Sequence, residues 1–316
     1  MALIGVEMRR GLARRSTRGL LLVALIGIAI IGVSIFATSR ATFDSAGSLA
    51  QAESLRNRAL VDCVNSNGFG GELRRSGVSL TEVCEETIPP ANQFVRDKRF
   101  HLTDLWTTDG TGDDGDNLLQ VTALFLAIGA LMGGATFIGG EWRWATMTTL
   151  LTWEPRRARV FLAKAAATLL LTFLIGVILQ VLVGLSVLPA ALWRGTTSGA
   201  DAEWFRGASG AVVRASALGS GAALFGYAVA FIGRNTAAAL GVAFAYVSVF
   251  EALVRGLKPG WQRWLIGENS AVFLTGRQLR SADFERSVLE AGLILVLYLA
   301  AVLGAAAFIF GRRDVT

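Results

Sequence analysis

Six stretches of apolar residues, each near the length needed to cross a bilayer, constrain this chain more than any other feature. A membrane-spanning helix needs about 20 mostly apolar residues. Charged residues make up only 17% of the chain, against roughly 25% in soluble domains. The sequence therefore predicts an all-α polytopic membrane protein with six transmembrane helices. The predicted spans are Gly19–Ala37, Leu118–Ile138, Ala165–Leu188, Ala215–Ile232, Ala237–Val254 and Val288–Phe310.

The first apolar stretch also has features of a cleaved signal peptide, because it follows arginines and ends in small residues at Ala37. Its apolar run is longer than the roughly 7–15 residues of a secretory signal. We therefore expect a retained membrane anchor.

The basic residues set the expected orientation, because cytoplasmic loops carry an excess of Arg and Lys. Residues 1–18 hold five arginines against the single acid Glu7, which places the N-terminus in the cytoplasm. Six crossings return the C-terminus to the same side, and the loop 141–164 then faces the cytoplasm as well. We expect a multi-pass protein of the plasma (cell) membrane. The net charge of +6 fits this bias, and no nucleic-acid partner is expected.

One basic segment, residues 255–286, does not fit this scheme. It holds six basic residues and three acids, yet the six-helix topology places it outside. Either the fifth stretch is not a span, or the segment is shielded by dipping into the outer leaflet. Trp261 and Trp264 suit an interfacial or re-entrant stretch. An odd number of spans would export the basic C-terminus, so six spans are retained.

The hydrophilic segment 40–116 divides the chain into three parts. Residues 1–39 form the N-terminal segment and first span, residues 40–116 an extracytoplasmic loop or lobe, and residues 117–316 the five further spans. Both cysteines, Cys63 and Cys84, lie in the loop. An oxidising compartment favours a disulfide between them, and two unrelated thiols are the alternative.

Metal binding by this loop has little support in the sequence. Two cysteines and the single histidine, His101, are too few ligands for a structural zinc site. The acidic run 109–116 lacks the Gly and Glu positions of a calcium-binding EF-hand loop. Its alternative role is a linker that caps the second span.

Several enzymatic motifs are absent or incomplete. The chain has no G-x-x-x-x-G-K-[ST] motif, so it does not hold ATP in a P-loop. The run 207–210 reads Gly-Ala-Ser-Gly, like the serine motif of rhomboid proteases. A serine nucleophile needs a general base, and no histidine follows Ser209. We therefore expect no catalytic residues, and a rhomboid-like intramembrane enzyme remains an alternative.

Charged and small residues within the spans leave two questions open. Glu251, Glu290 and Arg214 would form an ion pathway if the protein were a secondary transporter. Gly129 with Gly133, and likewise Ala222 with Gly226, have the spacing that lets helices approach closely. That spacing suits packing within the chain and packing in a dimer equally.

The loop 141–164 is the most informative segment. Met147, Leu150 and Leu151 share one side of a short predicted amphipathic helix. Pro155 ends that helix, and the arginines that follow would anchor the chain at lipid phosphates. An ordinary interfacial loop is the alternative interpretation.

This loop resembles the first cytoplasmic loop of ABC-2 type permeases, the membrane subunits of type V ABC exporters. Two further segments are similar to that family: residues 234–237, which read Arg-Asn-Thr-Ala, and the ending 310–314, which reads Phe-Gly-Arg-Arg-Asp. The family glycine is replaced by Ala145. The matching loop residues are Glu141, Thr146, Leu150, Leu151, Thr152, Pro155, Arg157 and Lys164.

The resemblance implies the transmembrane subunit of an ATP-driven exporter, without catalysis of its own. ATP and Mg would bind a separate ABC ATPase subunit, and a second permease subunit would complete a homo- or heterodimer in membrane lipid. The loop would contain the coupling helix, its apolar side seated in a groove of the ATPase and its charges at the rim. The segment 255–286 would be re-entrant, and the substrate stays open. The implied coupling residues are Glu141, Arg143, Thr146, Met147, Leu150, Leu151, Pro155, Arg156, Arg157 and Lys164.

Overall fold

The structure is a computed structural model, and α-helices dominate it. In chain order its helices are α1 (Ala2–Ala13), α2 (Arg15–Thr38), α3 (Ser45–Asn65), α4 (Leu118–Arg143), α5 (Thr146–Trp153), α6 (Arg157–Arg194), α7 (Ala202–Gly233), α8 (Thr236–Leu257), α9 (Ile266–Thr275) and α10 (Val288–Arg312). The structure describes residues 2–39, 45–65, 84–85, 87–88, 91, 99–106, 118–144, 146–276, 279–280 and 285–312.

Six helices in the described part of the chain are long and apolar enough to cross a membrane. The protein is therefore a multi-pass membrane protein, and the six predicted spans are confirmed, including the fifth. The helices are longer than their apolar stretches. At about 1.5 Å per residue, α6 measures roughly 57 Å, almost twice the roughly 30 Å of a hydrocarbon core. The spans are α2, α4, α6, α7, α8 and α10.

The two ends of the helix bundle are distinguished by the segments they carry. At one end, here named the β1 end, strand β1 (Phe100–His101) pairs in parallel with strand β2 (Gly195–Thr196), which directly follows α6. The opposite end, named the α5 end, carries α5. The C-terminal part of α10 also lies there, because Arg157 Nη1 donates to the carbonyl of Phe310 at 3.2 Å.

Helix α7 occupies the centre of the bundle. In its most apolar window 67% of the residues are buried, against 28% or less in the other spans. Its crossing with α4 is tight, because a Cβ at Gly134 would collide with the carbonyl oxygen of Ala223. A Cβ at Gly226 would likewise collide with the carbonyl oxygen of Leu131. A Cβ at Gly129 would meet open space, so the closest contact uses Gly134 in place of the predicted glycine pair.

The chain between α8 and α10 folds back into the bundle from the β1 end. A π-helical turn, Tyr246–Phe250, interrupts α8, and a 3-10 helix, Pro259–Trp264, follows it. The Tyr246 hydroxyl accepts from the Ile266 amide at 3.2 Å. The Tyr298 hydroxyl, ten residues into α10 and so roughly 15 Å along it, donates to the Trp264 carbonyl at 3.0 Å. Helix α9 then returns toward the β1 end, and its expected re-entrant position in the outer leaflet stays a prediction.

The predicted disulfide is present between Cys63 and Cys84, with a Cα–Cα distance of 6.1 Å. A short antiparallel pair, β3 (Leu279–Arg280) and β4 (Glu285–Arg286), precedes α10. The acidic run 109–116, Ala145 and the last two residues of the Arg-Arg-Asp ending lie outside the described residues.

Candidate functional site

A buried cluster of four charged side chains joins three helices at the α5 end. Glu7 comes from α1, Glu141 from the last turn of α4, and Lys164 from α6. Arg14 comes from the short connection between α1 and α2. We call these four residues the ion cluster.

The distances in the ion cluster are those of direct ion pairs. Lys164 Nζ lies 2.9 Å from Glu7 Oε2 and 2.8 Å from Glu141 Oε1. Arg14 Nη2 lies 2.8 Å from the same Glu141 oxygen. The ring of Phe137 makes cation–π contacts with both cations of the cluster. The Arg14 guanidinium lies 4.4 Å and the Lys164 ammonium 5.3 Å from the ring centroid.

Glu7, Glu141 and Lys164 are buried in the ion cluster, whereas the side chain of Arg14 is 24% exposed. Arg10, which is 57% exposed, adds a longer contact to Glu7 at 3.5 Å. The side chain of Lys164 is 1% exposed and that of Glu7 is 2% exposed. Removing one partner of such a buried pair costs about 3–5 kcal/mol, because the remaining charge is left without compensation. Glu141 Oε2 has no hydrogen-bond partner among the described residues. The cluster therefore holds α1, α4 and α6 in one arrangement.

Helix α5 is attached to the bundle by its inner face. Met147 is fully buried in a cluster that includes Phe161, Phe231 and Phe310. The Phe231 ring centroid lies 5.1 Å from that of Phe161 and 5.0 Å from that of Phe310. A displacement of α5 must therefore move or deform the packing between α6, α7 and α10, because well-packed cores transmit strain.

The outer face of α5 carries one large aromatic side chain. Trp153 is 85% exposed, and Thr146, Thr149 and Thr152 are also exposed. Leu151, on the inner face of α5, packs against the aromatic cluster. The chain's own core therefore covers the apolar side of α5 in this arrangement, and the expected contact of that side with a partner stays a prediction.

The remaining residues of the expected coupling loop are distributed between the surface and the bundle. Glu141, which was expected at the rim of the ATPase groove, and Lys164 are both buried in the ion cluster. Thr146 Oγ1 donates to the Glu141 carbonyl at 3.3 Å, and Arg157 contacts the end of α10. Four further residues complete the set: Leu150 is half-buried, while Arg143, Pro155 and Arg156 are exposed.

The sequence analysis missed two members of the ion cluster and the exposed tryptophan. Glu7 and Arg14 were used only to count charge. The available signal was Glu7 itself, the one acid among five arginines in residues 1–18. The sequence does not predict the exposure of Trp153, because a tryptophan in an amphipathic helix can contact lipid, a protein core or a partner protein.

The Arg-Asn-Thr-Ala segment has a structural role in the turn between α7 and α8. Arg234 ends α7 in the left-handed conformation, with φ of 53°, and lies 4.7 Å from the centroid of the Trp142 ring. The Asn235 side chain caps α8 by accepting from the Ala237 amide at 2.9 Å. Thr236 packs directly on Gly139 of α4. This segment closes the α5 end of the bundle.

Residues named for the alternative functions make separate local contacts in the described part of the chain. Ser209 Oγ donates to the Arg206 carbonyl at 2.8 Å. Glu251 is buried and paired with Arg255 at 3.0 Å, whereas Glu290 is exposed. In the described part of the chain no group of three or more His, Cys, Asp or Glu residues could hold a metal ion.

Comparison with known protein families and with individually characterised proteins finds no match to this chain.

Proposed function

We propose that this protein is the transmembrane permease subunit of an ATP-driven ABC exporter, coupled to a separate ATPase subunit through α5. The observation that carries the proposal is the contrast between the buried inner face and the exposed outer face of α5. Its inner residue Met147 is locked into the bundle core, and its outer residue Trp153 is exposed. A partner that binds the exposed face of such a helix can displace it, and the buried face then transmits the displacement to the spans.

The ion cluster supports the same function. It lies where α4 leads into α5 and where α6 begins, so both helices that flank α5 are tied to α1. A force on α5 then reaches three elements as one unit. The loop resemblance to ABC-2 permeases adds that the partner is an ATPase carrying ATP and Mg, and that two permease chains form the working unit.

In this proposal the α5 end faces the cytoplasm and the membrane is the cell membrane. The arginine-rich residues 1–18 lie at the α5 end, because α1 is held there by the ion cluster, and basic segments favour the cytoplasmic side. The β1 end, with its disulfide-bonded segment nearby in sequence, then faces an oxidising space.

The docking test compares one exposed tryptophan at each end of the bundle. Trp153→Ala removes the proposed docking side chain, and Trp193→Ala is the matched control, since Trp193 is 72% exposed at the β1 end of α6. Truncating a central tryptophan at an interface costs about 2 kcal/mol or more, which is about a thirtyfold loss of affinity. Full-length protein would be purified from native membrane, and the co-purifying ATPase identified and titrated against each variant.

We expect Trp153→Ala to weaken ATPase binding and to abolish permease-dependent ATP hydrolysis in proteoliposomes. Trp193→Ala should leave both unchanged. Equal ATPase binding and hydrolysis by the two variants, with both folded and inserted, would contradict docking through α5. If no ATPase co-purifies with the wild-type protein under mild extraction, the exporter assignment itself fails.

A further inference from the structure

A cavity of about 230 Å³ opens at the β1 end between α7, α9 and the segment before α4. Arg206 and Arg214 of α7 both line it, with Gly207 and Gly210 between them. These positions share one helical face, since residues four apart are neighbours on a helix. Gly210 leaves space beside Arg214, and Gly207 leaves room for the ring of Trp106.

Two side chains that line the cavity carry buried N–H donors without an acceptor. Arg214 Nε and Trp106 Nε1 are buried and have no hydrogen-bond partner among the described residues. Trp106 is 6% exposed, and its six-membered ring packs onto Gly207. Buried donors are hydrogen-bonded in the great majority of native structures, so two unpaired donors on one cavity point to a missing acceptor.

Among the described residues, no acid compensates the charge of the cavity. Neither Arg206 nor Arg214 forms an ion pair with another residue in the described ranges. Gly276, the left-handed cap of α9, lies against the Arg214 guanidinium. The negative end of the α9 dipole therefore faces Arg214, but it supplies only about half a charge.

The position of Arg214 along α7 indicates the depth of the cavity. Arg214 precedes Gly233, the last residue of α7 at the α5 end, by 19 residues. At about 1.5 Å per residue this is roughly 28 Å, close to the roughly 30 Å of a hydrocarbon core. Taking Gly233 as the boundary of the hydrocarbon core at the α5 end places Arg214 near the lipid head groups of the opposite leaflet, and Arg206 lies two turns further out.

We propose that this cavity binds a phosphate group, held between the Arg206 and Arg214 guanidinium groups beside Trp106. A guanidinium presents two parallel N–H donors that match phosphate oxygens. The phosphate has enough acceptor oxygens to reach both arginines at once. It is carried either by a membrane lipid or by a soluble molecule, and the proposal is independent of the exporter function.

The test uses ligands that differ in the phosphate alone. Full-length protein in detergent is titrated with dioctanoyl-phosphatidylglycerol and with dioctanoylglycerol, and binding is followed by native mass spectrometry. A second arm titrates inorganic phosphate. The variants are Arg214→Gln, Arg214→Lys and Arg206→Gln. The control is Arg18→Gln, at an exposed arginine of α2 near the α5 end.

We expect the phosphate-bearing lipid to bind at least about tenfold more tightly than dioctanoylglycerol, as hydrogen bonds to charged groups suggest. Arg214→Gln and Arg206→Gln should each remove about tenfold of that affinity, and Arg18→Gln none. Arg214→Lys keeps the charge but loses the two parallel N–H donors, so it should lose part of the affinity of the wild type. This variant and Arg206→Gln keep the test decisive if Arg214→Gln fails to fold. Competition by inorganic phosphate would identify a soluble source, and its absence a lipid source.

Equal binding of the two lipids together with no binding of inorganic phosphate would overturn the proposal. So would an equal loss of affinity in Arg18→Gln and Arg206→Gln. Neither result bears on the ATPase docking measured with Trp153, because lipid binding is read without any partner subunit.

Discussion

The backbone of Gly134 lies so close to the carbonyl oxygen of Ala223 that no side chain fits between α4 and α7. This contact lies beside the most buried helix of the bundle. We expect Gly134→Ala to force the two helices apart and to lower the thermal stability of the purified protein. A loss of about 1–3 kcal/mol is typical of overpacked cores.

Gly129→Ala is the matched control for this contact. It makes the same substitution on the same helix, at a position where the added methyl group meets open space. It should be neutral or slightly stabilising, because Ala favours a helix more than Gly does. Similar melting temperatures for the two variants would show that the crossing tolerates separation.

The ion cluster should respond strongly to the loss of its central cation. Lys164→Met leaves Glu7 and Glu141 buried without their shared partner. We expect a loss of about 3–5 kcal/mol, measured as chemical unfolding in mild detergent. Arg159→Ala is the control, since Arg159 pairs with Glu154 at the surface, where such pairs contribute about 0–1 kcal/mol. Equal effects of the two substitutions would refute the structural role of the cluster.

Glu251 should hold the start of α9 in place against α8. Its carboxylate accepts from the Gly267 amide at 2.8 Å and pairs with Arg255 at 3.0 Å. Glu251→Ala should therefore speed hydrogen exchange of the amides in α9, because their N-terminal anchor is lost. Glu268→Ala is the control, since it removes a more exposed carboxylate from the same arginine. Unchanged protection of α9 in Glu251→Ala would show that other contacts hold the segment.

The disulfide gives a chemical prediction. Peptide mapping of unreduced protein should recover Cys63 and Cys84 in one linked peptide pair, with neither thiol alkylated. Replacing both cysteines by serine should cost about 3 kcal/mol in the chain-entropy description of a loop of this size, measured as local unfolding of α3 by hydrogen exchange. Two freely alkylated cysteines in protein from the native membrane would contradict the pairing.

The spans were predictable because hydropathy is a local property. The residues 288–310 are apolar enough to mark α10 almost to its ends. The predicted third span begins at Ala165, whereas α6 begins eight residues earlier at Arg157. A hydropathy window ends where lysine or arginine occurs, so it places the start of the span after Lys164. Lys164 is nevertheless buried, because carboxylates from distant parts of the chain pair with it.

The site was less predictable, because it depends on contacts between distant residues. Periodicity correctly identified the apolar side of α5. It could not show that Phe161 and Phe310, from two other helices, already cover Met147. The charge count likewise placed Glu7 near the membrane but could not pair it with a lysine 157 residues away.

That separation also sets an order of events during synthesis. At about 5–20 residues per second, Lys164 leaves the ribosome roughly 8–30 s after Glu7. The contact between Glu7 and Lys164 therefore forms only after the start of α6 has been synthesised, and until then the nearby cation for Glu7 is Arg10 of its own helix. The helix translated first thus gains its buried ion pair only when about half of the chain has been made, before α7, α8 and α10 exist.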